Sequence, residues 1–482
     1  MNADTICALS TAPGGALAII RVSGQQAFPI VSSLCSVCCG SAAAANTIHY
    51  THIKSGTEII DECMVSVFRA PHSYTGEDSV EITCHGSRYI LNKVLDLLIE
   101  QGCRMAAPGE YTMRAYLNGK MDLSQAEAVA DLIASTNRAT HQMALSQLRG
   151  GFSSELAQLR SQLLKLTSLL ELELDFSDHE DLEFADRHEL LELAKDIDSQ
   201  ISRLAHTFET GQALKEGIPV AIVGKTNVGK STLLNRLLKD DRAIVSDIHG
   251  TTRDTIEETI NINGVTFRII DTAGIRQATD AIEQIGIERT YAAINKARVV
   301  LWLLDAAPTE AEIHDMTTRT KEKKLLIAIN KADTLFAPPS PSPLTSQPTP
   351  LTPPYVPYAE DLPQPSLPIS AKPGLGIEAL EAAIYSAADL PEISDTDTIV
   401  SNARHYDALC RAHENLQHVI NDLSPLIPHS SPLTSHPSSP STDLIAEDLK
   451  AVLNDLSEIT GENRITPQET LNNIFSHFCI GK

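Results

Sequence analysis

Four short strings in one fixed order constrain this chain most. Gly224-Lys-Thr-Asn-Val-Gly-Lys-Ser231 comes first, and GTTRD at 250–254, DTAG at 271–274 and NKAD at 330–333 follow it. Each string can arise by chance, but phosphate- and base-reading elements occur in this order in GTP-hydrolysing domains. The shared order and the placement of each string after or before a strand-like run therefore predict a domain that binds GTP.

The first string stands between an apolar run at 219–223, typical of a buried strand, and a leucine stripe that begins a helix. A helix start offers unpaired N–H groups and a positive dipole end to phosphate oxygens. We expect Lys230 to neutralise the outer phosphates and Ser231 to bind Mg²⁺, because small hydroxyls suit that ion. The predicted GTP contacts in this segment are Asn227, Val228, Gly229, Lys230, Ser231 and Thr232.

The later strings complete the predicted nucleotide site. Asp271 follows a strand-like run and is expected beside the phosphates at the metal, while Gly274 can move with the γ-phosphate. Asp333 can accept hydrogen bonds from guanine N1 and its amino group, which selects GTP over ATP. The predicted contacts are Asp271, Thr272, Ala273, Gly274, Asn330, Lys331 and Asp333, with Ser370, Ala371 and Lys372 completing the base pocket.

Strand-like runs at 219–223, 256–262, 265–270, 299–305 and 325–329 alternate with helical stretches. This alternation predicts a mainly parallel, three-layer α/β sheet. Asn263-Gly264 between the second and third runs predicts a hairpin.

The residue after DTAG is Ile275, which cannot polarise water as a glutamine does in the signalling GTPases. Another polar group has to orient the attacking water. Glu283 and Glu288 are the carboxylates nearest in sequence, and the alternative for each is an ordinary solvated charge on a helix.

At 482 residues the chain is longer than one hydrophobic core normally supports, and we expect three domains. The patterns predict an N-terminal α+β domain at 1–118, with strands near 17–20 and 63–68 and helices near 25–34 and 88–100. An all-α domain is expected in two halves, 119–214 and 384–482, with an inserted α/β P-loop G domain at 215–383. Pro-rich stretches at 337–368 and 424–442 are expected to be loops.

Composition excludes several classes of function. The formal charge of −24 and the 4% aromatic content argue against a protein that grips RNA alone through a cationic surface or a stacking platform. No run of about 18 apolar residues and no secretory signal are found, so we expect a cytoplasmic protein without membrane contact. Nine cysteines suit reduced thiols better than disulfides. Cys35, Cys38 and Cys39 resemble half of a zinc site. The candidates to complete it are His49, His52, Cys63 and Cys84, but a second close pair is missing, and structural thiols are the favoured interpretation.

Several further strings resemble those of the MnmE (TrmE) family of tRNA-modification GTPases over nearly the whole chain. They are PHSYTGED at 71–78, PGEYT at 108–112, LNGKMDL at 117–123, QAEAVADLI at 125–133 and the terminal FCIGK at 478–482. Generic G domains lack these strings. The resemblance implies a K⁺-stimulated GTPase in which Glu283 is the catalytic glutamate that helps to position water, with Lys230 and Thr252 also in the catalytic set.

The resemblance also implies the remaining ion and nucleotide contacts. No arginine finger is implied, because K⁺ takes that place when two G domains pair. Asn227, Ser246, Ile248 and Thr251 match the K⁺ ligands, and Thr252 matches a switch threonine on Mg²⁺. The GTP contacts implied in this loop are Ser246, Asp247, Ile248, His249, Gly250, Thr251 and Thr252.

For the N-terminal domain, the resemblance implies homodimer formation and binding of 5-formyl-tetrahydrofolate or a related folate. Arg21, Glu81, Lys120 and Lys482 match the folate contacts, although the residues alone favour a surface ion pair for Arg21 and Glu81. Cys479 would be functional near the folate. A buried tail cysteine is the alternative, and the tail fits a prenylation box badly.

The family further implies a flavoprotein partner of the MnmG type, which carries the FAD and with which tRNA is held. Together they would add a carboxymethylaminomethyl or aminomethyl group at C5 of the wobble uridine of certain tRNAs. The main alternative is a GTP-switched protein of ribosome assembly or signalling without RNA-modifying activity. A purely structural scaffold is a second alternative.

Overall fold

The computed structural model describes residues 4–35, 44–175, 187–240, 258–270, 283–335, 362, 366–391, 398–424, 442–461, 468–476 and 478–481. The chain divides into two compact units. The first unit comprises 1–134, 144–205 and 403–482, and the second unit comprises 135–143 and 206–402.

The first unit begins with a mixed sheet and its helices. The elements are β1 Ile6–Leu9, β2 Leu17–Ser23, α1 Ala27–Leu34, β3 Thr47–Ser55, β4 Glu58–Phe68, β5 Ser79–His85, α2 Arg88–Glu100, β6 Arg104–Met105 and α3 Glu110–Leu117. The six strands lie in the order β3-β4-β5-β2-β1-β6, antiparallel except for the pairing of β1 with β6. Alternate apolar side chains of β2, β4 and β5 pack with α1 and α2 in one core. The α+β content expected at 1–118 is confirmed, with longer strands than the patterns indicate.

Helices follow directly: α4 Leu123–Ala134, α5 Arg138–Leu148, α6 Gly151–Asp175, α7 Arg187–His206 and α8 Phe208–Glu216. The stripe on α6 is buried as expected, and it consists of Leu156, Leu159, Leu163, Leu166 and Leu170. The helical content predicted for this region is confirmed.

The second unit contains the α/β sheet. Its further elements are β7 Ile218–Val223, α9 Lys230–Asp240, β8 Glu258–Ile262, β9 Val265–Ile270, α10 Glu283–Lys296, β10 Val299–Leu304, α11 Glu310–Arg319, β11 Lys324–Ile329, α12 Ala332–Leu335, β12 Ser366–Pro368 and α13 Ile377–Ala387. The strand order is β12-β11-β10-β7-β9-β8, parallel except for β8 with β9. Apolar clusters cover both faces, since Val220 belongs to one and Ala221 to the other. The predicted three-layer α/β arrangement is confirmed.

The predicted hairpin is present, whereas the end of one predicted loop is a strand. The β8–β9 hairpin turns at Asn263 and Gly264, both with positive φ (53° and 81°), as a two-residue turn of this type requires. The prediction of a loop through residue 368 is wrong at its end, because residues 366–368 form β12 against β11. A three-residue edge strand that ends in proline carries too little apolar pattern to be recognised. The rest of both Pro-rich stretches lies largely outside the described residues.

The chain ends in helices α14 Ala403–Leu423, α15 Thr442–Thr460 and α16 Gln468–Ser476. Helix α15 packs against α14 and α6 within the first unit. The expected boundary at 383/384 falls inside α13, and the domain limits otherwise stay predictions. Among the described helices, none is long and apolar enough to cross a membrane.

A buried charge cluster joins α4 to α14 inside the first unit. Arg404 donates from Nε and Nη2 to the two carboxylate oxygens of Glu127 at 3.0 and 2.8 Å, and His405 Nε2 lies 2.6 Å from Glu127 Oε2. Arg404 also donates to the carbonyl oxygens of Glu458 and Ile459 at the end of α15. Burial alone would raise the pKa of Glu127, but pairing with His405 and Arg404 lowers it to about 2.

Candidate functional site

The loop between β7 and α9 has the backbone of a phosphate cradle. Gly224 and Gly229 adopt φ of +155° and +102°, and a Cβ at either position would overlap the Leu303 carbonyl or the Asn330 side chain. Asn227 is also left-handed, with φ of 63°. The loop thus needs both glycines, and Val228 is buried beneath it.

Lys230 opens helix α9 with its ammonium group turned into the loop. Its Nζ donates to the carbonyl oxygens of Gly224 and Lys225 at 2.5 and 2.8 Å. Burial lowers the pKa of this lysine. Ser231 and Thr232 follow it in the first turn of α9. The cation is therefore held by neutral oxygens that the phosphates of a nucleotide can replace.

Side chains from two distant segments fasten this loop. Asn330 is buried; its Nδ2 donates to Val228 O at 2.8 Å, and its Oδ1 accepts from the Ala371 amide at 3.0 Å. Ser370 Oγ donates to Asp333 Oδ1 at 2.7 Å. The structure thus brings NKAD, residues 370–371 and the phosphate loop together, as the sequence predicted, while Lys372 is exposed.

Lys331 has a partner that the sequence reading missed. Its Nζ donates to Asn227 O at 3.0 Å and to Asp305 Oδ2 at 2.7 Å. Asp305 directly follows β10, which lies between β7 and β11, so its position at the carboxyl end of a central strand was the available signal.

The other predicted nucleotide and ion contacts lie outside the described residues, and their roles stay predictions. They are Ser246, Asp247, Ile248, His249, Gly250, Thr251, Thr252, Asp271, Thr272, Ala273 and Gly274, together with Lys482 in the tail. Glu283 begins helix α10, and its predicted role also stays a prediction.

Arg21 and Glu81 face each other on β2 and β5 in the first unit. Arg21 Nε donates to Glu81 Oε1 at 2.9 Å, so the two residues form an ion pair, but it is partly buried and not the surface pair that the residues alone favoured. The Arg21 guanidinium carbon also lies 5.3 Å from the ring centroid of Tyr74 and 5.5 Å from that of Tyr111. Tyr111 fixes this strand by donating from its hydroxyl to Arg21 O at 2.7 Å.

Lys120 is fastened to the 71–78 loop, since its Nζ donates to Pro71 O at 2.8 Å and the neighbouring Asn118 Nδ2 donates to Thr75 O at 2.7 Å. Glu77 of that loop accepts from Arg114 at 3.2 Å. A charge network that sequence reasoning missed therefore shapes the loop, and the i,i+4 spacing of Glu110 and Arg114 on α3 was its signal.

The network keeps the Glu110 carboxylate ionised. Burial would raise the pKa of Glu110, but hydrogen bonds from Arg104, the Ala107 amide and Arg114 lower it. Arg114 also donates from Nη2 to Asp4 Oδ1 at 2.8 Å. These contacts tie α3 to the start of the chain.

The C-terminal tail lies against the same N-terminal elements. Phe478 packs with Phe475 and Leu123, and Ser10 Oγ donates to Gly481 O at 3.2 Å. The Gly109 amide donates to the carbonyl oxygen of Cys479 at 3.4 Å. Cys479 is exposed, so the alternative of a buried tail cysteine is wrong. Ser10, which contacts the tail, follows Leu9 on β1, and Leu9 pairs with Ile20, the residue before Arg21. The tail therefore runs close to the strand that carries Arg21.

The cysteines considered for zinc are free thiols of the N-terminal core where they are described. Cys35, Cys63 and Cys84 are buried among apolar side chains. Among the described residues, no group of three metal-capable side chains comes together. Cys38 and Cys39 lie outside that part of the chain.

Comparisons with known proteins agree with this geometry. A family model described as GTP-binding protein TrmE N-terminus matches residues 5–120, and one described as MnmE helical domain matches residues 123–479. Proteins named tRNA modification GTPase MnmE are 51% identical in Bacteroides thetaiotaomicron and 49% identical in Phocaeicola vulgatus. The first alignment covers all of both chains, and the second covers 100% of this chain and 99% of the other. The chain therefore belongs to the MnmE (TrmE) family.

Proposed function

We propose that this chain is a GTP-hydrolysing enzyme of tRNA modification. The observation that carries the proposal is the joined nucleotide site, in which Asn330 bonds both Val228 and Ala371 while Ser370 holds Asp333. A base pocket whose parts are already bonded costs little further ordering when guanine binds. The names of full-length relatives at about half identity support the same activity.

In this proposal Lys230 leaves the carbonyl oxygens of Gly224 and Lys225 and binds the outer phosphates of GTP. Asp333 accepts from guanine N1 and its amino group. Mg²⁺ would neutralise charge on the β- and γ-phosphates, and Ser231 in the first turn of α9 fits it together with Thr252. Glu283 positions the attacking water.

K⁺ would stimulate hydrolysis by offsetting charge in the transition state. Asn227 supports this part, because its left-handed backbone and its carbonyl contact with Lys331 fix the residue at the loop. Ser246, Ile248 and Thr251 would supply the other ligands.

The N-terminal domain would bind a folate such as 5-formyl-tetrahydrofolate through Arg21, Glu81, Lys120 and Lys482, with Cys479 nearby. The pairing of a guanidinium with two aromatic rings supports this, because folates combine a flat heteroaromatic ring with carboxylates.

The same domain would form the homodimer. Its sheet presents apolar side chains opposite each other in register, Tyr50 and Met64, and Ile48 beside them on β3 is 68% exposed. Exposed apolar clusters of this kind are typical of interaction surfaces.

The proposed reaction is addition of a carboxymethylaminomethyl or aminomethyl group at C5 of the wobble uridine, with the one-carbon unit taken from the folate. An MnmG-type partner would carry the FAD and supply much of the grip on tRNA, because a net charge of −24 disfavours binding of RNA by this chain alone. A cytoplasmic location is part of the proposal.

Two experiments test the proposal. GTP hydrolysis by the intact chain is measured in K⁺ and in Na⁺, for wild type and Glu283→Ala; we expect K⁺ to stimulate and the substitution to abolish that stimulation. Hydrolysis that is indifferent to both changes would contradict the K⁺ and Glu283 assignments.

In the second experiment the gene is deleted, wobble nucleosides are analysed by mass spectrometry, and the strain is complemented with wild type or Cys479→Ser. Unchanged nucleosides after deletion would favour a GTP-switched role without RNA modification.

A further inference from the structure

The β8–β9 hairpin is connected at both ends to segments that GTP is expected to move. In the sequence, GTTRD at 250–254 lies just before β8, and DTAG at 271–274 begins directly after β9. Switch segments of P-loop GTPases respond to the γ-phosphate by ordering and release. A hairpin attached to both segments is placed to follow a displacement of either one.

This hairpin is contacted by residues of the second unit that lie well before the G domain in the sequence. Asn137 is buried, with 8% of its surface exposed, and its Nδ2 donates to Thr266 Oγ1 on β9 at 2.7 Å. The Ala139 amide donates to Gly264 O in the turn at 3.1 Å. Ala139 and Met143 also pack on the apolar cluster that contains Phe267 of β9.

These contacts coincide with the start of α5. The first amides of a helix lack partners within the helix. Asn137 Oδ1 accepts from the Thr140 amide at 2.8 Å as an N-cap, and Gly264 O accepts from Ala139. The hairpin therefore supplies part of the cap of α5. The other end of the Asn137 side-chain amide, Nδ2, binds the hairpin by donating to Thr266.

We propose that Asn137 is a positioning residue that couples the β8–β9 hairpin to the first turn of α5, so that nucleotide turnover changes the order of this turn. The inference rests on the proposed GTPase activity and deepens it, because it assigns a route by which the nucleotide state leaves the G domain. A hairpin that shifts by the length of one hydrogen bond removes the Thr266 and Gly264 contacts together, and the helix start then frays.

Thr266→Val is the sharpest test, because it removes the acceptor but keeps the branched side chain and the Asn137 cap. Thr266→Ser restores the hydroxyl. Thr259→Val makes the same exchange at an exposed position of β8 and is the matched control.

Hydrogen exchange at the Ala139 and Thr140 amides is compared in the full chain with GDP and with a non-hydrolysable GTP analogue, in Mg²⁺ and K⁺. We expect wild type, Thr266→Ser and Thr259→Val to show rates that differ about fivefold between the two nucleotides, as loss of one hydrogen bond gives. Thr266→Val should reduce this difference to nearly none while its affinity for fluorescent mant-GTP stays within about twofold of wild type.

A Thr266→Val variant that keeps the full wild-type difference would overturn the proposal, and so would a wild type whose Ala139 and Thr140 amides exchange equally in both states. A wild type that fails to bind mant-GTP refutes the proposed function itself, and the inference is lost with it. Loss of the difference in Thr259→Val as well would show that any change in the hairpin has this effect, which also overturns the role of Asn137.

Discussion

The two units hold their buried charges in opposite ways. In the first unit, Glu127 is matched by Arg404 and His405 at hydrogen-bonding distance. In the second unit, the half-buried ammonium group of Lys230 donates to backbone carbonyl oxygens, and its partial burial lowers its pKa. One arrangement is complete as it stands, whereas the other becomes more favourable when a polyanion arrives.

Stability and binding energy therefore depend on different charges in the two units. Removal of one member of a matched buried cluster destabilises the fold, because it leaves a charge without a partner. A cation held by neutral oxygens adds little to the fold but is prepared to bind phosphate. Substitutions in the two places should therefore separate stability from activity.

The largest effect is expected for Glu127→Ala, which leaves Arg404 and His405 without their carboxylate. The free energy of unfolding of the helical region should fall by about 3–5 kcal/mol. Urea denaturation followed by far-UV circular dichroism measures this loss. Glu192→Ala, at an exposed ion pair on α7, is the control and should change stability by less than about 0.5 kcal/mol.

The single tryptophan allows the unfolding of the second unit to be followed separately. Trp302 lies in β10 of the second unit, so its fluorescence reports that unit alone. We expect Glu127→Ala to leave the fluorescence transition in place while the dichroism transition moves to lower urea. If both transitions move together, the units do not unfold separately and the comparison between them fails.

Lys230→Ala should show the opposite pattern. GTP hydrolysis is expected to fall about 10²- to 10³-fold, because a charge that stabilises the transition state is lost. The Trp302 transition should shift by less than about 1 kcal/mol. Lys225→Ala is the control in the same loop, since its ammonium group makes an exposed pair with Glu312, and it should retain activity within about threefold. A large loss of stability in Lys230→Ala would show that this cation serves the fold.

Acid should remove the contribution of Glu127 in a defined pH range. Its pKa is lowered from 4.5 to about 2, so its stabilising effect is complete above pH 4.5 and is lost as the pH falls towards 2. The advantage of wild type over Glu127→Gln should shrink by about 2 kcal/mol between pH 6 and pH 3, measured by urea denaturation. An advantage that is constant over this range would mean that the carboxylate pairs equally well in the unfolded chain.

The sequence predicted local geometry better than it predicted long-range contacts. The backbone of the loop at 224–231 was predictable because its conformation is determined locally, as Gly224, Gly229 and the strand before them illustrate. The parallel direction of the central strands followed from apolar runs that alternate with helical stretches. Strand β12 was missed because three residues that end in Pro368 carry no period.

The long-range charge clusters were not predictable in the same way. Glu127 and Arg404 are separated by 277 residues, and nothing in the local pattern around either one names the other. Asp305 as the partner of Lys331 and the contact of Asn137 with Thr266 also depend on tertiary folding. A resemblance can name such residues as members of a family string, but only the folded chain shows their partners.

Arg21 tests whether the first unit also contains a charge that is prepared to bind a ligand, as Lys230 is in the second unit. Its pair with Glu81 is only partly buried, so Arg21→Ala should cost about 1 kcal/mol of stability or less. If the guanidinium contacts the folate, binding of 5-formyl-tetrahydrofolate should weaken about 10- to 100-fold in isothermal titration, since hydrogen bonds to charged groups contribute about 1.5–3 kcal/mol. Arg88→Ala, exposed at the start of α2, is the control. Unchanged affinity in Arg21→Ala would make the pair with Glu81 a structural contact, and all buried and half-buried charges of the first unit would then serve the fold.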